Sequence, residues 1–279
     1  MARPIGTVPR RQLGRQLKQL RKQAGLSLDE AAKKLDCSSS RLDRYETGQQ
    51  VADVMWVRGM LDLYGVSESW EPMLALSRLA KQPGWWRAYG LNDRGYVPLE
   101  ASATLVREFN PMVVPGLLQT PEYARALSGM AVLPMSDERV ERDVEVRTIR
   151  QRRLLAENHP LELETIMEES VLHRPIGDAK VLRAQLEHLL MMAEVDTVTL
   201  RVLPTGIGAH PGLDGGFILL SFADLDEPDI VYVEPLTGSL HIDRAQVVTR
   251  CRLAFDRLRS AALDPADSMA LVERVAAQT

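Results

Sequence analysis

The sequence predicts a mainly α-helical chain with an α+β C-terminal part. Apolar residues recur at helical spacing through most of the first 158 positions. From about residue 159, short runs of strand length and rich in β-formers take over: "LELETIM", "VTLRVL", "GFILLSF" and "DIVYVE". The chain has 279 residues, 45% of them hydrophobic and 26% charged, which suits roughly two domains with buried cores. No repeat or low-complexity segment interrupts this pattern.

The first helix is read from Leu13, Leu17, Leu20 and Ala24, an apolar stripe set among Arg and Lys. Gly25 ends it, because glycine enters the left-handed cap conformation without steric cost. Ser27 followed by Glu30 makes a capping box for a short second helix, which buries Leu28, Ala31, Ala32 and Leu35. The two alanines let another helix cross closely. The chain then turns at Asp36 and Cys37, and Ser38 caps a third helix whose core face is Leu42 and Tyr45. Ser39, Ser40, Arg41 and Arg44 are left facing outward. Gly48 closes that helix, and "VMWVRGMLDLYG" supplies a fourth with Met60, Leu61 and Tyr64 inward.

Beyond residue 66 the expectation is a helical stretch over 67–158, broken at "QPGWWRAYG" and by Pro111, Pro115 and Pro121. Thr120 caps a helix beginning at Pro121, and Ser136 caps a polar helix over about 136–157. The "RTIRQRRLL" segment of that helix reads as a solvated face, with contact to the DNA backbone as the alternative. Residues 159–279 form a small mixed sheet of four or five strands, covered on one side and flanked by helices over about 178–193 and 243–262. Leu182, Leu186, Leu189 and Leu190 face inward on one helix; Val247, Cys251, Ala254, Phe255 and Leu258 do so on the other.

Charge separates the two parts. Residues 1–65 carry 12 Lys+Arg against 7 Asp+Glu, while the remainder carries 22 against 31, for a net −4 overall. A basic module on an acidic body points to nucleic-acid contact through one part only. The exposed Ser/Arg face of the third helix is where base edges and phosphates would be met. An arginine can pair with guanine in bidentate fashion, whereas serines are weak, adaptable readers, so Arg44 is expected to carry more sequence preference than Ser39 or Ser40.

Catalytic and metal chemistry finds no foothold in the pattern. His159, His173, His188, His210 and His241 are widely spaced, without the pairing of a zinc helix or finger. Cys251 falls on an apolar stripe, which favours a structural thiol over a nucleophile. The loop "TGIGAHPGLDGG" is followed by a strand, so it lacks the helix N-terminus of a phosphate-binding loop. It reads as a connection, with a binding lid carrying His210 and Asp214 as the alternative. Adjacent Trp85 and Trp86 cannot both enter one core from a single helix face, so one ring is a candidate cleft or interface anchor, with core packing between the two halves as the favoured reading. The expectations are therefore no enzyme, no cofactor and no metal. No apolar run approaches the roughly 20 residues that cross a bilayer, and "MARPIGTVPRR" has no apolar signal region, so a cytoplasmic protein is expected. Cys37 and Cys251 give no disulfide framework.

Residues 10–65, with "GLSLDEAAKKLDCSSSRLDRYETG", resemble the XRE-type, lambda-repressor-like helix-turn-helix domain. The resemblance implies a five-helix domain over 1–66 and a DNA-contacting set of Ser38, Ser39, Ser40, Arg41 and Arg44. Within it Ser39, Ser40 and Arg44 take base-reading positions, and Arg41 a phosphate or base contact. It also implies a structural ion pair between Arg21 and Glu46. The chain departs from the pattern at Leu28, where a phosphate-contacting Gln is common, and at Asp36, where the turn residue is usually Gly.

"GWWRAYG", "LEASA", "VPGLLQTPEYARA", "RQRRLL", "EESVLHRPIG", "LRVLP", "GGFILLSF", "VYVEP" and "FDRLRSAALDPADSM" resemble, in matching order, the C-terminal domain of WhiJ-like, antitoxin-like actinobacterial (Streptomyces-type) regulators. This implies that residues 67–279 form an effector and dimerisation domain. It further implies regulation of developmental or antibiotic-production genes, often with a small partner protein encoded nearby. The combined expectation is a repressor that binds double-stranded DNA as a homodimer on a palindromic operator. Half-sites would lie about 34 Å, or a multiple of that, apart. The partner protein, a small-molecule effector near Trp85, Trp86 and the 206–216 loop, and a role chiefly in sequestering the partner all stay open.

Overall fold

The computed structural model describes residues 7–66, 70–93, 95–222 and 227–279. The expected domain boundary at 66/67 borders residues 67–69, and most of the opening "MARPIGTVPRR" precedes Thr7; both fall outside the described residues. Two compact units are present, Met1–Ser102 with Ala223–Glu227, and Ala103–Phe222 with Pro228–Thr279.

In the first unit α1 (Val8–Gln23), α2 (Leu28–Lys34), α3 (Ser39–Glu46) and α4 (Val54–Tyr64) follow the expected punctuation. Leu13 and Leu17 of α1 are buried and Leu20 partly so. Ala24 is exposed, because the helix has ended at Gln23, and Arg21 takes the inward place instead. Gly25 adopts the left-handed conformation expected of it, at φ +70°. On α2 both halves of the capping box form: Ser27 Oγ accepts from the Glu30 N–H at 3.2 Å, and Glu30 accepts from the Ser27 N–H at 2.9 Å. Asp36 turns the chain at φ +49°, a conformation Asp tolerates better than most residues.

Helices α1 and α3 cross closely at Gly14. A methyl group there would stand 2.5 Å from the carbonyl oxygen of Tyr45 and 2.7 Å from that of Glu46, so only glycine admits the backbones to this separation. Asp53 caps α4, accepting from the Met55 and Trp56 N–H groups. Met60, Leu61 and Tyr64 then close the core from inside α4. The following helix α5 (Trp70–Lys81) adds Met73, Leu74 and Ala80 to the same core, and Ser77 Oγ donates to the Ala52 carbonyl at 2.8 Å. Each fully buried Leu or Met contributes about 1.5–3 kcal/mol, more than a cap at about 1 kcal/mol, so packing dominates the stability of this unit. A 3-10 turn at Trp85–Tyr89 and the short α6 (Tyr96–Glu100) complete it.

The second unit is built on one mixed sheet. In chain order its elements are β1 (Leu105–Asn110), α7 (Pro121–Ser128), α8 (Asp137–Gln151), β2 (Glu162–Glu168), α9 (Glu169–Leu172), α10 (Ala179–Ala193) and β3 (Val198–Leu203). There follow β4 (Phe217–Phe222), β5 (Glu227–Val233), β6 (Leu240–Ile242), α11 (Ala245–Ala261) and α12 (Pro265–Gln278). The strand order is β3-β2-β1-β4-β5-β6. Strands β1, β2 and β3 run parallel, which is why helical crossovers separate them, and β4 pairs antiparallel with β1.

All four strands expected from the sequence form, and among the described residues β1 and β6 join them. β1 lies inside the stretch read as helical. Its charged Arg107 and Glu108 break the apolar run, and each finds a polar partner in the fold. Arg107 Nε donates to Glu164 Oε2 on β2 at 3.3 Å, and Glu108 is buried, accepting from Asn110 Nδ2 at 3.0 Å. The sheet is also buried on both faces, where one covered face was expected. Phe109, Ile166, Leu219 and Val231 pack against Val248, Phe255 and Leu258 of α11, while Leu163, Leu200, Val202, Leu220 and Ile230, on the other face, are buried as well. Double burial explains why several of these strands read as continuous apolar runs. The "RTIRQRRLL" segment is not simply solvated: Arg147 is partly buried, and Arg153 donates to the Ala103 carbonyl at 2.8 Å.

Gly14→Ala is expected to cost about 2–3 kcal/mol, an overpacking penalty at the α1–α3 crossing. Urea unfolding of the full chain measures it, and an unchanged midpoint would mean the two backbones are not in contact there.

Candidate nucleic-acid interface

α3 is held against α1 by the ion pair between Arg21 and Glu46. Arg21 Nε and Nη2 donate to the two Glu46 oxygens at 2.6 and 2.9 Å, and Nη1 donates to the Leu26 carbonyl at 2.7 Å. Both side chains are almost wholly buried, and the bond to Glu46 raises the Arg21 pKa further. This two-point contact fixes α3 along its length and in rotation.

That rotation sets which side chains face out. Leu42, Tyr45 and Glu46 point into the core. Ser40 and Arg44, one turn apart on the opposite side, are exposed and form the outermost ridge of the helix. Ser38 is exposed at the N-cap, where its Oγ accepts from the Arg41 N–H at 3.2 Å. Ser39 and Arg41 occupy the two flanks and are partly buried. Ser39 Oγ donates to the carboxylate of Asp29 on α2, which ties the two helices of the motif together. With its proton committed, Ser39 offers an incoming group only acceptor capacity. On the other flank the Arg41 guanidinium carbon lies 4.3 Å from the ring centroid of Trp56 on α4, and its Nε donates to the Tyr45 hydroxyl at 2.9 Å.

Four of the five sequence-derived contact residues thus stand on one short helix and the fifth, Ser38, at its N-cap, with Ser40 and Arg44 as the exposed ridge. Asp29, Trp56 and Gly14 were not singled out for the site from the sequence, because their roles arise from other elements. Only Trp56 carried a local sign, an aromatic in the first turn of the helix that follows.

The remaining candidate residues are divided between the two units. Trp85 and Trp86 belong to the first unit. Trp86 is buried over Gly84, and its Nε1 donates to Asp93 Oδ1 at 3.0 Å. Trp85 is partly exposed and stands edge-on to Trp86 and Tyr89. Asp93 also binds Arg87 and takes Arg10 Nη1 at 3.0 Å. The Arg87 hydrogen bond leads in lowering its pKa to about 2, with the Trp86 bond and the Arg10 charge assisting against desolvation.

His210 and Asp214 belong to the second unit. His210 Nδ1 accepts from the Gly212 N–H at 3.2 Å, its Nε2 lies 3.4 Å from Glu168 Oε1, and its ring packs edge-on against Phe109. Gly212 sits on that Phe109 ring, where a methyl group would come within 2.2 Å. Asp214 is exposed. Cys251 is partly buried and, like Cys37, has its thiol pKa raised chiefly by desolvation. Among the described residues no three His, Cys, Asp or Glu side chains are grouped to hold a metal ion, and no helix is long and apolar enough to cross a membrane.

Residues 12–70 match a helix-turn-helix domain family, and residues 93–274 match a family described as a domain of unknown function, DUF5753. No curated protein and no solved structure matches the chain. The helix-turn-helix domain supports a DNA-binding regulator.

Asp93 gives the first unit an acid-sensitive contact. Its folded pKa is depressed below the ordinary 3.8, so its contribution is complete above about pH 4 and is lost as pH falls toward 2. The contribution is about 2 kcal/mol. Asp93→Asn is expected to flatten the pH dependence of stability in that window, measured by thermal unfolding. An unaltered acid limb would show that Asp93 is not held in this way.

Proposed function

The chain belongs to the DUF5753 family, and on that premise we propose that it is a sequence-specific, DNA-binding transcriptional repressor. The observation that carries this reading is the exposed Ser40/Arg44 ridge of α3, in a helix-turn-helix domain whose α3 is locked to α1 by a buried ion pair. Ser38, Ser39, Ser40, Arg41 and Arg44 form the DNA-facing set. A single eight-residue helix spans few base pairs, so a homodimer on a palindromic operator supplies the specificity. The proposed division of labour is a DNA-binding domain over 1–66 and an effector and dimerisation domain over 67–279, with α5 of the latter stretch packed into the core of the former.

The WhiJ-like resemblance makes developmental or antibiotic-production genes the targets and a small protein the controlling partner. That partner acts by binding one of two states of the regulator, DNA-competent or incompetent, more tightly than the other. The partly exposed Trp85 ring beside buried Trp86 favours a second reading, in which an aromatic-lined surface takes a small molecule.

Selection of duplexes from a random library by the full chain is expected to enrich two inverted half-sites. Arg44→Ala should then relax preference at one position of each half-site, by about 1–3 kcal/mol of discrimination. Equal weakening on every duplex would make Arg44 a phosphate contact, and failure to enrich any sequence would contradict specific binding.

A further inference from the structure

We propose that Trp56, assisted by the Tyr45 hydroxyl, is a positioning residue that presets Arg41 as a contact to the DNA phosphate backbone; this rests on the DNA-binding reading above. Arg41 does not share the ridge of Ser40 and Arg44. It follows Ser40 by one residue, which places it on the flank of α3, and its side chain crosses toward α4. There the guanidinium stacks 4.3 Å from the Trp56 centroid and 5.6 Å from that of Tyr45, the two rings themselves being 5.7 Å apart. A cation over an indole face is attracted by the ring quadrupole, and Trp is the strongest such partner among the side chains.

The hydrogen bond from Nε to the Tyr45 hydroxyl uses the donor nearest the chain. The outer edge, with Nη1 and Nη2, remains, and that planar fork matches two oxygens of one phosphate. Among the described residues Arg41 has no carboxylate partner, unlike Arg21, Arg78 and Arg87 in the same unit. Its charge is held by aromatic faces that leave it unneutralised. A flexible arginine loses rotamer freedom on binding; one already held on a platform loses less. A flanking position at the edge of a groove-facing helix suits the sugar–phosphate strand, which fixes register and orientation without reading sequence. Arg41 and Arg44 therefore divide the work: Arg44 stands where base edges are met, and Arg41 where the strand passes.

The test uses the full chain and a short fluorescent duplex of mixed sequence, with affinity measured across a salt series. Arg41→Ala should weaken binding alike on mixed-sequence and selected duplexes and reduce the salt slope by about one. Trp56→Leu should weaken binding roughly three- to tenfold while leaving every charge in place. In the Arg41→Ala background the same Trp56→Leu change should have no further effect. Trp56→Phe, which keeps an aromatic face, should recover most of the loss, and thermal unfolding of each variant checks that the domain remains folded. If Trp56→Leu destabilises the domain, Tyr45→Phe supplies the second variant, because it removes only the acceptor for Nε and should weaken binding only when Arg41 is present. Equal losses from Trp56→Leu with and without Arg41 would overturn the positioning role. An Arg41→Ala loss confined to one base position would overturn the phosphate assignment. A parent protein that binds no duplex even at low salt would instead overturn the DNA-binding reading itself.

Discussion

The orientation of α3 depends on the Arg21–Glu46 pair. Glu46 lies in the last turn of α3 and Arg21 in the last turn of α1, so a two-point bond between them sets both the position and the rotation of the helix. Breaking a buried pair by removing one partner costs about 3–5 kcal/mol, because the other charge is left without compensation. A well-packed apolar pair would serve net stability as well; what the ion pair adds is two directional hydrogen bonds between fixed points on the two helices. The close crossing at Gly14 complements the pair by bringing the two helix backbones together at the level of Tyr45 and Glu46. With α3 fixed in this way, Ser40 and Arg44 face out, and Ser39 and Arg41 meet fixed partners on α2 and α4.

These flanking contacts give the domain its chemical character. Each ties a candidate contact residue to a neighbouring element without covering the exposed ridge. Asp29 takes the proton of Ser39, and Trp56 with Tyr45 holds Arg41 without neutralising it. In the second unit arginines serve the scaffold instead: Arg259 and Arg107 meet on Glu164, and Arg252 meets Asp229. Partly exposed pairs of that kind add little, at most about 1 kcal/mol each, beside the burial of Phe109, Ile166, Leu219 and Phe255.

Local signals in the sequence were legible because they act within a few residues. The Ser27/Glu30 capping box, the Ser38 cap, the turn at Asp36 and the ends at Gly25 and Gly48 are each decided by neighbours in the chain. What escaped a sequence reading depends on partners far away. Asp93 acquires its role from Arg10 and Trp86, Trp56 from Arg41, and β1 from a cross-strand partner for Arg107 and burial of Glu108. Periodicity assigned the region around β1 to helix because two charges interrupt its apolar run. The exposed end of α3 was legible from the phase of Leu42 and Tyr45, whereas the platform under Arg41 required the placement of α4.

The most direct test is hydrogen exchange of the full chain with and without a duplex it selects. The expected result is new protection concentrated on residues 36–50, with the core of α1 unchanged. Protection confined to the second unit, with α3 exchanging as in the free protein, would contradict the assignment of α3 as the helix that meets DNA.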